Sequence, residues 1–251
     1  MTSLTTFSIQ NEIAIITLNH TEKNNILSAA LRNELMAHYE QCEHDENIKI
    51  IILNASGKHF CAGADLNEML AMSNASFDDN LEDAKNLADF FYRLYNCKKP
   101  TICCAHGKTM GGGLGLIATH DITIAARTAE FCFPEVKLAM LPATIAPFVS
   151  HRIGFASAQS LMLTAELFNA QRAHEIKLID HLCDDEPINL AFLLAEKMLK
   201  NNSASMQATK KWLRELHPIA PKQLDQAAQL LAEIRSTADA KEALLKQTLR
   251  K

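Results

Sequence analysis

The sequence predicts an α/β fold with a helical C-terminal region, and three observations carry that prediction. Short apolar or β-branched runs alternate with helix-period segments through the first two thirds of the 251 residues. From Ala156 onward the pattern is mostly helical, rich in Leu and Ala and punctuated by Pro187, Pro218 and Pro221. Five of the eight glycines fall between Gly107 and Gly115, which marks one stretch of backbone with special demands.

The elements follow in order. Ile13 to Leu18 is a β-branched run that stops at Asn19-His20-Thr21, as a strand does before a turn. Ser28 is placed to cap a helix whose apolar residues Leu31, Leu35, Met36, Tyr39 and Cys42 recur at spacings near three and four. Ile48 to Leu53 is nearly all apolar, as expected of a strand covered on both faces. A loop with two glycines, Asn54 to Asp65, follows it. Phe77 to Cys97 is helical by spacing, and Pro100 ends it and opens a third strand, Thr101 to Ala105. After the glycines comes a short apolar helix from about Leu114 to Thr119, then a strand at Ile122 to Ala125.

Composition narrows the functions. Against 25 Lys and Arg stand 29 Asp and Glu, a net charge of −4, so no basic stripe is available for nucleic acid. No apolar run approaches the length of a membrane span. The first ten residues lack a basic segment and an apolar core, so no signal peptide and a cytoplasmic location are expected. The seven cysteines form no C-x-x-C pair and read as reduced thiols, with Cys103 and Cys104 on opposite faces of their strand. No histidine pair has metal-ligand spacing, and no metal is expected.

The glycine cluster admits three readings. A P-loop would need a glycine five residues before Gly107, where Ile102 stands. Gly113-Leu-Gly115-Leu-Ile-Ala118 matches a dinucleotide fingerprint, but the acid belonging at the end of the next strand is absent, since Arg127 and Thr128 lie there. The third reading is a strand entering a helix whose first turn, Gly111 to Gly113, is stripped of side chains. Its free N–H groups and dipole favour a negatively charged oxygen. A second exposed N–H could come from Cys61-Ala-Gly-Ala-Asp-Leu66, where small residues leave room and Asp65 can cap the next helix. Glu135, after Phe131-Cys-Phe-Pro134, is the candidate proton carrier, because partial burial there would raise its pKa toward neutrality.

Together these segments resemble the crotonase, or enoyl-CoA hydratase/isomerase, superfamily. Gly57-Lys-His-Phe-Cys-Ala-Gly-Ala-Asp-Leu66 resembles its first oxyanion loop, and Gly107 to Asp121 with Ala129-Glu-Phe-Cys-Phe-Pro-Glu135 resembles the second loop and the acidic segment beyond it. Leu163 to Glu166, Ala170 to Ala173 and Leu178-Ile179 resemble the helical stretch that follows. The resemblance implies a crotonase-like ββα spiral core over residues 1–200 that binds acyl-CoA thioesters. It implies a helical assembly region over 201–251, and homotrimers or dimers of trimers. Carried over by position, the N–H groups of Ala64 and Gly112 hold the thioester oxygen, with Gly111 beside them. Ala62, Asp65 and Leu66 line the pantetheine path, and the turn Lys23, Asn24, Asn25, Ile26 touches coenzyme A. No cofactor is implied, since coenzyme A enters as part of the substrate.

The pattern departs at Gly115, which stands where the first of two hydratase glutamates falls. The run Leu141-Pro-Ala-Thr-Ile-Ala-Pro147 replaces a glycine-rich stretch and resembles bacterial 3-methylglutaconyl-CoA and isohexenylglutaconyl-CoA hydratases. The leading expectation is therefore a hydratase for a branched or carboxylated enoyl-CoA, with the space at Gly115 taking a substrate group or a water. An enoyl-CoA isomerase, which needs only one carboxylate, and a non-catalytic acyl-CoA-binding subunit are the alternatives. Trp212, Leu213 and Leu216 are expected in helix packing or a subunit contact, and Lys241, Lys246, Arg250 and Lys251 on a solvated helix face or near the coenzyme's phosphates.

Overall fold

The computed structural model describes residues 3–249. Its strands are β1 (Thr5–Gln10), β2 (Ile13–Leu18), β3 (Ile50–Ala55), β4 (Thr101–Ala105), β5 (Lys108–Met110), β6 (Ile122–Ala126), β7 (Glu130–Cys132), β8 (Phe168–Asn169) and β9 (His181–Cys183). Its helices are α1 (Ala29–His44), α2 (Leu66–Asn74), α3 (Phe77–Tyr95), α4 (Gly112–Thr119), α5 (Ala146–Ile153), α6 (Phe155–Thr164), α7 (Ala170–Glu175), α8 (Pro187–Met198), α9 (Ser203–Leu216), α10 (Pro221–Arg235) and α11 (Ala238–Thr248). The larger sheet runs β1-β2-β3-β4-β6-β9 and is parallel except for the β1–β2 hairpin. A smaller sheet runs β5-β7-β8.

Each turn of the chain lays one strand in the large sheet, crosses to the smaller ladder and returns through a helix, as β4–β5–α4 shows. The earlier turns reach the smaller ladder only as single bridges, Leu27 with Ala64 and Cys61 with Thr109. Both faces of the central strands are covered, which is why they are apolar throughout. Ile50, Ile52, Ile102, Cys104 and Ile124 pack with Ala191 and Ala195 of α8. Ile51, Leu53 and Cys103 face the main core with Leu31, Leu35, Phe91 and Leu114. Cys103 and Cys104 thus do lie on opposite faces.

The Ser28 hydroxyl caps α1 by accepting from the Leu31 N–H at 3.2 Å, and Leu31, Leu35, Tyr39 and Cys42 are its buried stripe. The structure differs from the sequence expectation at several strands. The two- and three-residue strands β5, β7, β8 and β9 have no counterpart in the sequence reading, being too short to show a period. Two longer strands also differ. β1 carries no recognisable turn signal, because its hairpin turns through Asn11 and Glu12, both at positive φ, without a glycine. The strand expected at Ile48 begins two residues later, though Ile48 is fully buried.

In the C-terminal part, α9 is tied to the core where Lys210 (2.5 Å) and Arg214 (2.8 Å) pair with Asp121. That contact turns Trp212, Leu213 and Leu216 outward, so they do not pack within the chain. Helix α10 lies along α3 and α11 against α2, which brings both to the edge of the cleft described next. Among the described residues no helix is long and apolar enough to cross a membrane.

Candidate active site

A cleft of about 940 Å³ opens between the loop after β3, the start of α4 and the turn after β7. Backbone hydrogen bonds shape the loop. Its Ala62 N–H donates to Asn24 O at 3.0 Å, the Gly63 carbonyl accepts from Leu27 N–H at 2.8 Å, and the Cys61 carbonyl accepts from Met110 N–H at 2.9 Å. Asp65 caps α2 through the Asn67 N–H at 2.9 Å. Between these anchored residues, the Ala64 N–H has no acceptor within the described chain.

The glycine triplet meets the loop from the other side. Gly111 takes φ +48° and donates its N–H to Cys132 O at 3.0 Å, turning β5 into α4. A Cβ on Gly113 would stand 2.9 Å from Cys61 Cβ, so its absence lets the loop seat against the helix. Gly112 is the first helical residue, and its N–H has no intrahelical acceptor. Two unpartnered N–H groups from separate segments therefore line one cleft.

Glu135 begins the 3₁₀ turn Glu135–Leu138 directly beyond the triplet. Its Oε1 would lie 2.9 Å from a Cβ on Gly111, and its Oε2 is buried without any hydrogen-bond partner. Nearby Lys137 forms no ion pair with it; its ammonium donates instead to Ala165 O at 2.6 Å. Burial, only partly offset by a hydrogen bond from the residue's own backbone, pushes the Glu135 carboxyl up to about 7. A carboxyl there can both take and give a proton near neutral pH, beside two N–H donors suited to an oxygen that gains negative charge.

Of the residues expected at the site, Lys23, Asn24, Ile26, Ala62, Ala64, Asp65, Leu66, Gly111, Gly112 and Glu135 line the cleft, and Asn25 and Gly115 do not. Asn25 is fully buried, and its amide donates to Ser56 O and His59 O, both at 2.9 Å. Its amide nitrogen clasps the turn to the loop, and its Oδ1 is enclosed without a partner, away from the cleft. Gly115 is filled rather than open. A Cβ there would stand 2.4 Å from Ile145 Cγ2 and 2.7 Å from Phe91 Cε1, so neither a substrate group nor a water fits. Where Phe91 and Ile145 cover Gly115, they and Leu87 give the cleft an apolar lining.

The flanking histidines are structural. His59 Nδ1 accepts from Lys108 N–H at 3.0 Å, and His106 Nε2 bonds Gly57 O at 2.9 Å. Buried His120 bonds Tyr39 Oη at 2.6 Å and Leu116 O at 2.5 Å, and burial lowers its pKa to about 4. On α11, Lys246 pairs with Glu242, while Arg250 and Lys251 lie outside the described residues. Sequence reasoning missed Arg32, Asp83 and Arg235, which form an ion cluster in the cleft wall. Their separation along the chain leaves no local signal that could have found them.

The sequence model of the enoyl-CoA hydratase/isomerase family matches residues 8–248. The 2,3-dehydroadipyl-CoA hydratase of Escherichia coli is 30% identical over 240 residues, 94% of this chain and 92% of that protein. The 1,2-epoxyphenylacetyl-CoA isomerase of Escherichia coli is 31% identical over 186 residues, 72% of this chain and 70% of that protein. Among solved structures, an enoyl-CoA hydratase from Shewanella pealeana superposes with a TM-score of 0.82 at 34% identity, over 99% of this chain and 94% of that one.

Proposed function

This chain belongs to the enoyl-CoA hydratase/isomerase family, and from that premise we propose that it hydrates a 2-enoyl-CoA with Glu135 as its single acid/base. The observation that carries this reading is the buried Glu135 carboxyl, its Oε2 without a partner, set in the same cleft as the free N–H groups of Ala64 and Gly112. Those two N–H groups hold the thioester oxygen. Glu135 takes a proton from water as the oxygen adds to the β-carbon, the negative charge collects on the thioester oxygen as an enolate, and Glu135 returns the proton to the α-carbon. Loss of one such N–H donor costs about 10²–10³ in rate. Ala62, Asp65 and Leu66 line the pantetheine path, and Lys23, Asn24 and Ile26 contact the coenzyme A portion.

A carboxylated acyl chain is the favoured substrate. The Leu141 to Pro147 run resembles hydratases of that kind, and a relative matched over nearly its whole length is named for the thioester of a diacid. The filled space at Gly115 favours a second reading, double-bond migration from a 3-enoyl- to a 2-enoyl-CoA. There the apolar wall keeps water away, and Glu135 moves one proton between two carbons. Turnover on crotonyl-CoA, a 3-enoyl-CoA and 3-methylglutaconyl-CoA separates the readings. Water addition supports the first, bond migration the second, and binding without turnover a non-catalytic acyl-CoA-binding subunit. The outward Trp212, Leu213 and Leu216 support the homotrimer or dimer of trimers proposed from the family likeness.

A further inference from the structure

We propose that Arg235 is the specificity residue that reads a second carboxylate, at the far end of the substrate's acyl chain; this rests on the acyl-CoA reading above. Arg235 is 2% exposed, yet it lines the cleft. Its Nη1 pairs with Asp83 Oδ2 at 2.6 Å, and its enclosed Nε–H has no acceptor. The guanidinium is thus held in the wall by one ion pair with its terminal Nη2 unused, although the same α3–α10 contact also encloses an unpartnered acceptor, Asn80 Oδ1.

The neighbouring groups leave donors in surplus. Two guanidiniums carry about ten N–H donors. Arg32 uses only loose contacts, 3.4 Å to Leu27 O and 3.5 Å to Asp83, and Asp83 is already shared with Arg235. The remaining acid facing Arg32, Glu68, accepts the Ala29 N–H with both oxygens, at 3.2 and 2.9 Å. Arg235 Nη2 has no hydrogen-bond partner among the described residues and, unlike Nε, is not enclosed, so it is the donor left for a carboxylate in the cleft.

The cluster's position assigns it to the acyl end. Phe91, Leu87 and Asp83 recur at four-residue steps on one face of α3. Phe91 lies beside Gly112, so the stripe starts at the proposed thioester oxygen, passes through apolar Leu87 and ends at the ions. Eight helical residues span about 12 Å, which suits a short chain that begins apolar and ends in an anion. Leu231, one turn before Arg235 on α10, supplies apolar wall opposite.

Arg235→Lys tests this, because it keeps a cation toward Asp83 while removing the second terminal nitrogen, Nη2. The probes are the mono-CoA thioester of an unsaturated six-carbon diacid and 2-hexenoyl-CoA, with their saturated counterparts as binding probes in calorimetry. The expected result is a loss of about 10–100-fold in kcat/KM for the diacid thioester, with the neutral chain within a few fold. Affinity for the saturated diacid thioester should fall in parallel, and the thermal midpoint should stay near that of the parent. Equal losses on both chains, or no loss, overturn the assignment. If the parent turns over neither chain but Arg235→Lys still loses diacid binding selectively, the catalytic reading fails and this one stands.

Discussion

Glu135→Gln tests the buried acid/base through stability and rate together. Burial moves this carboxyl from 4.5 up to about 7, a displacement that corresponds to about 3 kcal/mol. Between those pH values the native state keeps a proton that the unfolded chain has lost. Native stability therefore falls as pH rises through this window, and the loss is complete above about 7. Glutamine cannot titrate. The unfolding free energy of Glu135→Gln, relative to the parent, should therefore rise by about 2–3 kcal/mol between pH 5 and pH 8.5. Using the change with pH cancels the constant cost of the amide N–H groups and every titration the two proteins share. Urea unfolding at fixed protein concentration across that range measures it. In the same samples, turnover should drop by about 10²–10⁴ at all pH values while acyl-CoA binding persists. A stability difference that does not change with pH would refute the argument that a buried carboxyl with a raised pKa occupies this position, and retained turnover would remove its role as proton carrier.

Three further outcomes are expected. For the parent, kcat/KM should fall about tenfold per pH unit below about 7 and level off above it, because the carboxylate form of Glu135 starts the reaction; a flat pH–rate profile would contradict this. Gly112→Pro removes one N–H at a helix position that tolerates proline, so a folded variant by circular dichroism should lose about 10²–10³ in rate, and near-normal turnover would exclude Gly112 as a donor. Gly115→Ala forces a Cβ to within 2.4 Å of Ile145 and should cost about 1–3 kcal/mol in thermal unfolding, part of which Ile145→Ala recovers; a fully stable single variant would show the space to be open after all.

The site was legible in the sequence wherever its chemistry is carried by backbone and by neighbours along the chain. The triplet Gly111 to Gly113 can be recognised because close approach and a positive φ demand glycine locally. Ser28 and Asp65 announce their helices because a cap bonds a backbone N–H two or three residues on. Glu135 stands out through its apolar neighbours Phe131 and Phe133, both fully buried. Gly115, by contrast, looked like a vacancy only because a single sequence shows what is missing from a position and not what moves in.

By itself the sequence determined the alternation of strands and helices, the two loops proposed to supply N–H groups, and the carboxylate proposed to act beside them. These are encoded over a few residues, where periodicity, capping and glycine conformations act. Only the tertiary structure decided what surrounds them. Phe91, from α3, and Ile145, just before α5, close the space at Gly115. Asn25 turns inward to clasp Ser56 and His59. Asp83 and Arg235 meet across 152 positions of chain. Packing and ion pairing depend on which side chains end up adjacent, and adjacency across helices is a property of the fold, which no local pattern records.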